Sequence, residues 1–332
     1  MSPGTAAAAA AALPLVSLDA IREAAAGLVG VAVRTPLLPA DALAERAGVP
    51  VFLKLENRQP TGAFKLRGAW TAIRRLPAEA GRRGVITYSS GNHGQAVAYA
   101  ARRLGIRAVI VMPETAPPAK VAGVRKWGGE VVFAGTTSED RKARADELIA
   151  REGFTVIPPF DHPDVIAGQG TVGLEIVEDL PGVAHVAVPV GGGGQVAGIA
   201  AALAALAPGA RVTAVEPVGS AAMGAALAAG RVVRLERTHS IADGLLPLAV
   251  GALTFAHVKD LIDAVTVTDD AIAEATVWLH REMDLLVEPS GAATTAALRC
   301  GALRVSGPTV LVVSGGNVDP ADLDRLASRG GG

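Results

Sequence analysis

Four stretches of the chain carry residues whose types and spacing can do chemistry. In the first, a strand-like run, Val51-Phe52-Leu53-Lys54-Leu55, passes through a Pro/Gly turn into Ala63-Phe64-Lys65-Leu66-Arg67-Gly68. Lys65 stands between two apolar residues at the mouth of a predicted helix. Desolvation and the field at a helix start both disfavour an ammonium, so the pKa falls and the amine can form a Schiff base. Alone, the stretch also fits a helix lysine that extends its ammonium to water. The second stretch, Ser89-Ser90-Gly91-Asn92-His93-Gly94, lies between a predicted strand and helix, where free N–H groups can receive a carboxylate. Asn92 there also fits a helix N-cap, and His93 a solvated first-turn histidine. The third, Gly191-Gly192-Gly193-Gly194-Gln195 after Val188-Pro189-Val190, can turn backbone N–H groups towards an anion at a helix N-terminus. A flexible strand-to-helix turn is the plainer reading. The run has neither GxGxxG spacing nor a P-loop lysine. In the fourth, Ser314-Gly315-Gly316-Asn317, the hydroxyl of Ser314 follows the apolar run Val310 to Val313 and by itself reads as a turn serine before two glycines.

The elements that must position these residues alternate between strand and helix. Helices are expected over 18–28 with Ser17 as N-cap, 41–47 closed by Gly48, 93–104, 118–127, and 138–151 with Ser138 as N-cap. Further helices are expected over 164–179, 195–206, 218–228, 269–283 capped by Thr268, and 291–298, with a last one capped by Asp319. Strands are expected over 51–55, 85–88, 108–112, 130–133, 154–157, 185–190, 212–215, 264–267 and 309–313. Such alternation argues for parallel sheets covered on both faces, in two open α/β domains with the site in the cleft between them.

At 332 residues the chain can bury two cores, and with 50% apolar but only 3% aromatic residues these must be built from Ala, Val and Leu. The formal net charge of −1, without basic or acidic blocks, argues against nucleic acid and anionic membrane as partners. No apolar run is long enough to span a membrane, and residues 1–14 read as a tail rather than a signal peptide. The single Cys300 excludes an internal disulfide, fits a reducing cytoplasm, and reads as a small buried hydrophobe. There is no GxSxG elbow, no HExxH, and no zinc-type Cys/His spacing. The scattered His162, His185, His239, His257 and His280 read as loop or surface residues.

Taken together and in this order, the four motifs resemble the fold-type II pyridoxal-phosphate (PLP) enzymes, in the threonine/serine dehydratase and serine racemase branch. The resemblance runs from about Leu37 to about Asp319. It implies a tryptophan synthase β-like architecture, with a large domain of residues 1–83 and 157–332 and a small domain, 84–156, inserted into it. It implies pyridoxal 5'-phosphate on Lys65, ring packing by Phe64, and phosphate held by Gly191, Gly192, Gly193, Gly194 and Gln195. Ser314 is expected at the pyridine nitrogen and Asn92 at the phenolic oxygen. Ser89, Asn92 and His93 are expected around the substrate carboxylate, and Ser90 matches the acid/base that racemases place on the opposite ring face. A neutral serine at the ring nitrogen suits elimination better than transamination. The expected activity is therefore ammonia loss from L-threonine, L-serine or a related β-hydroxy amino acid, with serine racemase or hydroxyaspartate dehydratase as rivals. A non-catalytic cofactor-binding protein is a remoter one. Phe160 stands where racemases tend to carry Asn. Relatives on the racemase side bind a divalent cation through a Glu-Pro pair and an aspartate six residues on. Here Glu216-Pro217 and Ser220 are present but Ala222 holds the aspartate position, so no metal is expected. The family default is a homodimer. The chain ends soon after Asp319, so inhibition through a C-terminal regulatory domain is not expected.

Overall fold

The computed structural model describes residues 14–89, 91–116 and 118–327. Among them, ten strands form two sheets. Strands β1 (Leu37–Pro39), β2 (Val51–Leu55), β7 (His185–Pro189), β8 (Arg211–Pro217), β9 (Ile262–Val267) and β10 (Thr309–Val313) make the larger, in the order β1-β2-β10-β7-β8-β9. Its neighbours run parallel except at the edge, where β1 pairs antiparallel with β2. Strands β3 (Val85–Thr87), β4 (Ala108–Met112), β5 (Glu130–Phe133) and β6 (Thr155–Val156) form the smaller, fully parallel sheet, ordered β5-β4-β3-β6. All of its strands come from one uninterrupted part of the chain, and the larger sheet is built from what precedes and follows.

The last strand of the described residues, β10, lies between β2 and β7, and its five residues are all buried, as a covered parallel strand requires. Alternation sends Val310 and Val312 to one face and Leu311 and Val313 to the other. The first face meets α8 (Pro163–Asp179), α9 (Gly194–Leu206), α10 (Ala222–Ala229) and α11 (Ala252–Val258). The second meets α2 (Asp41–Ala47), α12 (Asp269–Met283) and α13 (Pro289–Arg299). Truncating Leu311 to Ala would cost about 2–5 kcal/mol, because nothing can collapse into the gap between sheet and helices.

A third core lies between the smaller sheet and the helix that starts at Lys65. Leu66, Ala69, Trp70 and Ile73 of α3 (Lys65–Arg74) pack with Ala96, Val97 and Ala100 of α5 (Asn92–Arg103). On its other side α3 approaches α8 so closely that a Cβ at Gly168 would meet the Gly68 Cα at 2.7 Å. That crossing also buries charge. The Arg67 guanidinium lies between Glu56 and Glu175, with bonds of 2.6–2.9 Å to both carboxylates, and Lys54 donates to Glu175 at 2.6 Å and to the Thr35 carbonyl at 2.8 Å. Two cations thus face two carboxylates in the interior, the balance that makes burial tolerable.

The remaining helices, α1 (Leu18–Leu28), α4 (Ala78–Arg83), α6 (Pro118–Lys126), α7 (Ser138–Glu152) and α14 (Pro320–Ala327), complete the layers. The expected tail is described only from residue 14 onwards; residues 1–13 lie outside. Several sequence expectations need correction. The N-cap of α7 is Thr137, not Ser138: its hydroxyl accepts from the Asp140 N–H while Asp140 accepts from Thr137, a reciprocal capping box. The helix expected over 218–228 is broken into a 3-10 turn at Val218–Ser220 followed by α10. Helices α4 and α11 were not anticipated, being too short for a clear periodicity. Cys300 is exposed, because it falls on the C-cap of α13 where the buried face has ended. His185 and His257 are buried. His185 bonds Thr213 Oγ1 at 2.8 Å, and His257 Nε2 accepts from the Val16 N–H at 2.7 Å.

Candidate active site

Backbone bonds fasten two of the four motifs together. After β2 the chain makes a 3-10 turn, Glu56–Arg58, and reverses at Gly62 in the left-handed region (φ 73°). A bridge then joins Ala63 to Gly315, Phe64 N–H donates to the Ser314 carbonyl at 3.0 Å, and Gly316 N–H donates to the Gly62 carbonyl at 2.9 Å. Helix α3 begins at Lys65, so the amine is displayed where β2 and β10 end. The Ser314 side chain is buried against the same place.

Asn317 and Glu288 draw in the second motif. Asn317 Nδ2 donates to the Thr61 carbonyl and to Asn92 Oδ1, both at 2.8 Å, and Asn92 Nδ2 donates to Glu288 Oε1 at 2.6 Å. Both faces of the Asn92 amide are therefore oriented, with one hydrogen on Nδ2 still to donate. Asn92 is not the N-cap of α5; Gly91 is. Glu288 is buried and its carboxyl is pushed up to about 8, first by desolvation and then by the charge of Asp243, so it carries a proton at neutral pH. A side chain at Gly315 would strike this carboxyl group.

His93 is buried rather than solvated, and Nε2 lies 2.9 Å from the Ile157 carbonyl. A carbonyl only accepts, which assigns the proton to Nε2 and leaves Nδ1, without a partner, as a lone pair. Desolvation, helped by the charge of Lys65, drives its pKa down to about 3, so the ring stays neutral.

Lys65 Nζ donates to the Pro159 carbonyl at 2.7 Å and lies 5.0 Å from the centre of the Phe64 ring. Desolvation lowers its pKa to about 8. Among the described residues it has no carboxylate partner, so nothing restores the charge that burial penalises. Pro159 leads to Phe160, whose ring and backbone fill the space where Gly192 and Gly194 would carry side chains. In this way the third motif reaches the lysine through the segment Pro159-Phe160. Ser89 is half-buried beside the start of α5, and Ser90 lies outside the described residues.

The glycine run leaves β7 and enters α9 through Gly193, again left-handed (φ 91°), and the helix start has no side-chain cap. Gln195, 3% exposed, keeps both its amide nitrogen and its oxygen without a partner. That amide has a donor and an acceptor to offer a polar group bound at the helix start. The sequence profile of the family described as "pyridoxal-phosphate dependent enzyme" matches residues 30–315. The chain belongs to that family. Among curated relatives, the L-threonine ammonia-lyase of Geobacter sulfurreducens is 42% identical over 299 residues, 90% of this chain and 74% of the relative. Among solved structures, maize serine racemase has a TM-score of 0.90 at 37% identity, covering 95% of this chain and 98% of the other. The processed threonine deaminase isoform 2 of Solanum lycopersicum has a TM-score of 0.86 at 36% identity, covering 98% and 93%.

The residues fit the family's cofactor. A desolvated amine suits the aldehyde, and an uncapped helix start behind side-chain-free backbone suits the phosphate. Glu216, considered above for a metal, has other work. It is fully buried and accepts from Met223 N–H at 2.7 Å and Gly224 N–H at 2.9 Å, filling the first turn of α10. Sequence reasoning missed Glu288, and quoted Asn317 without giving it a role. Their signal is only an acidic residue before a helix of small residues and an Asn after two glycines; the partners lie 196 and 225 positions away.

Proposed function

We propose that the chain is a PLP-dependent ammonia-lyase. Its substrate is L-threonine, L-serine or a related β-hydroxy amino acid, which it converts to a 2-oxo acid and ammonia. The observation that carries this reading is Lys65, an amine lowered to about 8 and held by a carbonyl rather than a carboxylate. Such an amine is a nucleophile for the cofactor and, once released, a base matched to neutral pH. The likeness to relatives named L-threonine ammonia-lyase supports it.

Bound here, pyridoxal phosphate supplies an electron sink for the bond breaking at the substrate α-carbon. Lys65 Nζ takes up the α-proton, with the Pro159 carbonyl fixing its approach. Gly191 to Gly194 and Gln195 would hold the phosphate, Phe64 would pack against the ring, and Ser314 would offer a neutral hydroxyl to the ring nitrogen. Asn92, its orientation fixed by Glu288 and Asn317, has one hydrogen left that would serve the phenolic oxygen. Ser89, Asn92 and His93 bound the substrate carboxylate, with neutral His93 contributing a wall and an acceptor rather than a charge. The α-proton and β-hydroxyl leave as water, and water regained on hydrolysis of the nitrogen-bearing product balances the reaction.

We assign residues 1–83 and 157–332 to the cofactor-binding domain and 84–156 to the smaller one, in a homodimeric cytoplasmic enzyme. Among the described residues, no helix is long and apolar enough to cross a membrane. Incubating the holoenzyme with L-threonine and L-serine and measuring 2-oxo acid and ammonia tests the activity; no release from any β-hydroxy amino acid would sink it. Racemisation is the second reading, favoured by the likeness to maize serine racemase. It predicts that Ser90→Ala abolishes action on D-serine while dehydration of L-serine persists.

A further inference from the structure

We infer that Asp161 is a positioning residue for the phosphate cradle, acting through helix α11. The inference rests on reading Gly191 to Gly194 as that cradle. Asp161 follows Pro159 and Phe160, which already touch Lys65 and the glycine run. Its carboxylate reaches the first turn of α11. Oδ2 accepts from Ala252 N–H at 3.1 Å, and Oδ1 accepts from Leu253 N–H at 2.9 Å and Thr254 N–H at 3.1 Å. The helix has no cap of its own, since its N-cap residue is Gly251, and a side chain there would occupy the place of the Asp161 carboxylate. A residue 92 positions away thus supplies the cap.

The capped helix then grips the glycine run at one atom. Gly251 N–H donates to the Gly192 carbonyl at 3.2 Å, and the hydroxyl of Thr254, a fully buried residue, lies 3.0 Å from the same oxygen. A trans peptide points its C=O and the following N–H in opposite directions. Anchoring the Gly192 oxygen on α11 therefore fixes the Gly193 N–H on the far side, facing away from α11. Gly193 in turn holds its left-handed conformation with Thr254 Oγ1 and Met223 Cε 3.0 and 3.1 Å from where a Cβ would be. Four glycines in a row have little preference of their own. Asp161 and Thr254 supply the order that their sequence lacks, and its own anionic charge is taken up by three α11 donors rather than presented to the ligand.

The test uses apoenzyme and equilibrium dialysis against pyridoxal phosphate and against pyridoxal, which lacks the phosphate. Wild type should prefer the phosphorylated form. Asp161→Ala should lose about tenfold of that preference with pyridoxal affinity unchanged, and Asp161→Asn, which keeps one acceptor, about threefold. Thr254→Val, which leaves Asp161 in place and removes the hydroxyl at the Gly192 carbonyl, should repeat the selective loss and decides the matter if the Asp161 variants do not fold. An unchanged ratio in folded variants, or an equal loss for both ligands, overturns the role of Asp161. A wild type without preference overturns the cradle instead.

Discussion

Two lysines, Lys54 and Lys65, leave the same strand and turn region and are both enclosed by protein, yet they are built for opposite ends. Lys54 is fully buried and meets Glu175 at 2.6 Å, inside a cluster where each cation has a carboxylate. Lys65 is half-buried, and among the described residues its amine donates to the carbonyl of Pro159 and to no carboxylate. A carboxylate repays the desolvation of an ammonium, whereas a carbonyl orients it without repaying it. On the function proposed above, the difference in partner, more than the difference in burial, separates the structural lysine from the reactive one.

Removing each amine sharpens that contrast. Lys65→Ala should lower turnover by at least about a thousandfold and abolish the visible band that borohydride bleaches, with little change in melting temperature. Lys54→Met should do the reverse. Breaking the buried pair should cost about 3 kcal/mol in denaturant unfolding, with the cofactor band retained in the folded fraction. An intact band in the first variant, or unchanged stability in the second, would break the comparison.

A smaller effect separates the two by pH. Only neutral amine attacks an aldehyde, so capture of pyridoxal phosphate by apoenzyme should rise roughly fiftyfold from pH 6 to pH 8 and then level off. A limb that keeps rising towards pH 10 would mean that Lys65 is an ordinary lysine.

Smaller still is the effect of Glu288, the acidic counterpart of Lys65. Its folded-state pKa of about 8 lies above the ordinary 4.5, so between those values the folded state keeps a proton that the unfolded chain has released. Stability conferred by that proton is present at low pH and is lost as pH rises through about 8. Glu288→Gln should remove a slope of up to about 1.4 kcal/mol per pH unit in that window, seen as a flatter dependence of melting temperature on pH. An identical slope in the variant would show that Glu288 is ionised.

What the sequence shows of this site is what is local. Lys65 between apolar neighbours and four glycines between strand and helix announce themselves, because strand, turn and helix start are adjacent in the chain. The alternation that yields two parallel sheets is equally local. Glu288, Asp161 and Thr254 do not announce themselves, because their meaning lies in partners on other elements. Asp161 reads as a loop acid until α11 is seen to begin against it. His93 reads as solvated because its helix position says nothing about the Ile157 carbonyl, 64 positions on, that meets its ring. Cys300 and the cap of α7 fail for a plainer reason: each is missed by about one residue, at the end of a buried face or in the assignment of the cap to Thr137.

The placement of β10 has a consequence in time. This strand, the last in the described chain, is inserted between β2 and β7, and Ser314, Gly315, Gly316 and Asn317 follow directly from it. Until it arrives, the larger sheet has a gap at its middle, Phe64 and Gly62 lack their partners, and Asn92 has Glu288 but not Asn317. On the ribosome the lysine and the glycine run emerge long before they can be brought into register, and contacts of such sequence separation form slowly. Cofactor capture then waits for β10, and a polypeptide without that strand has no assembled site with which to sequester the aldehyde.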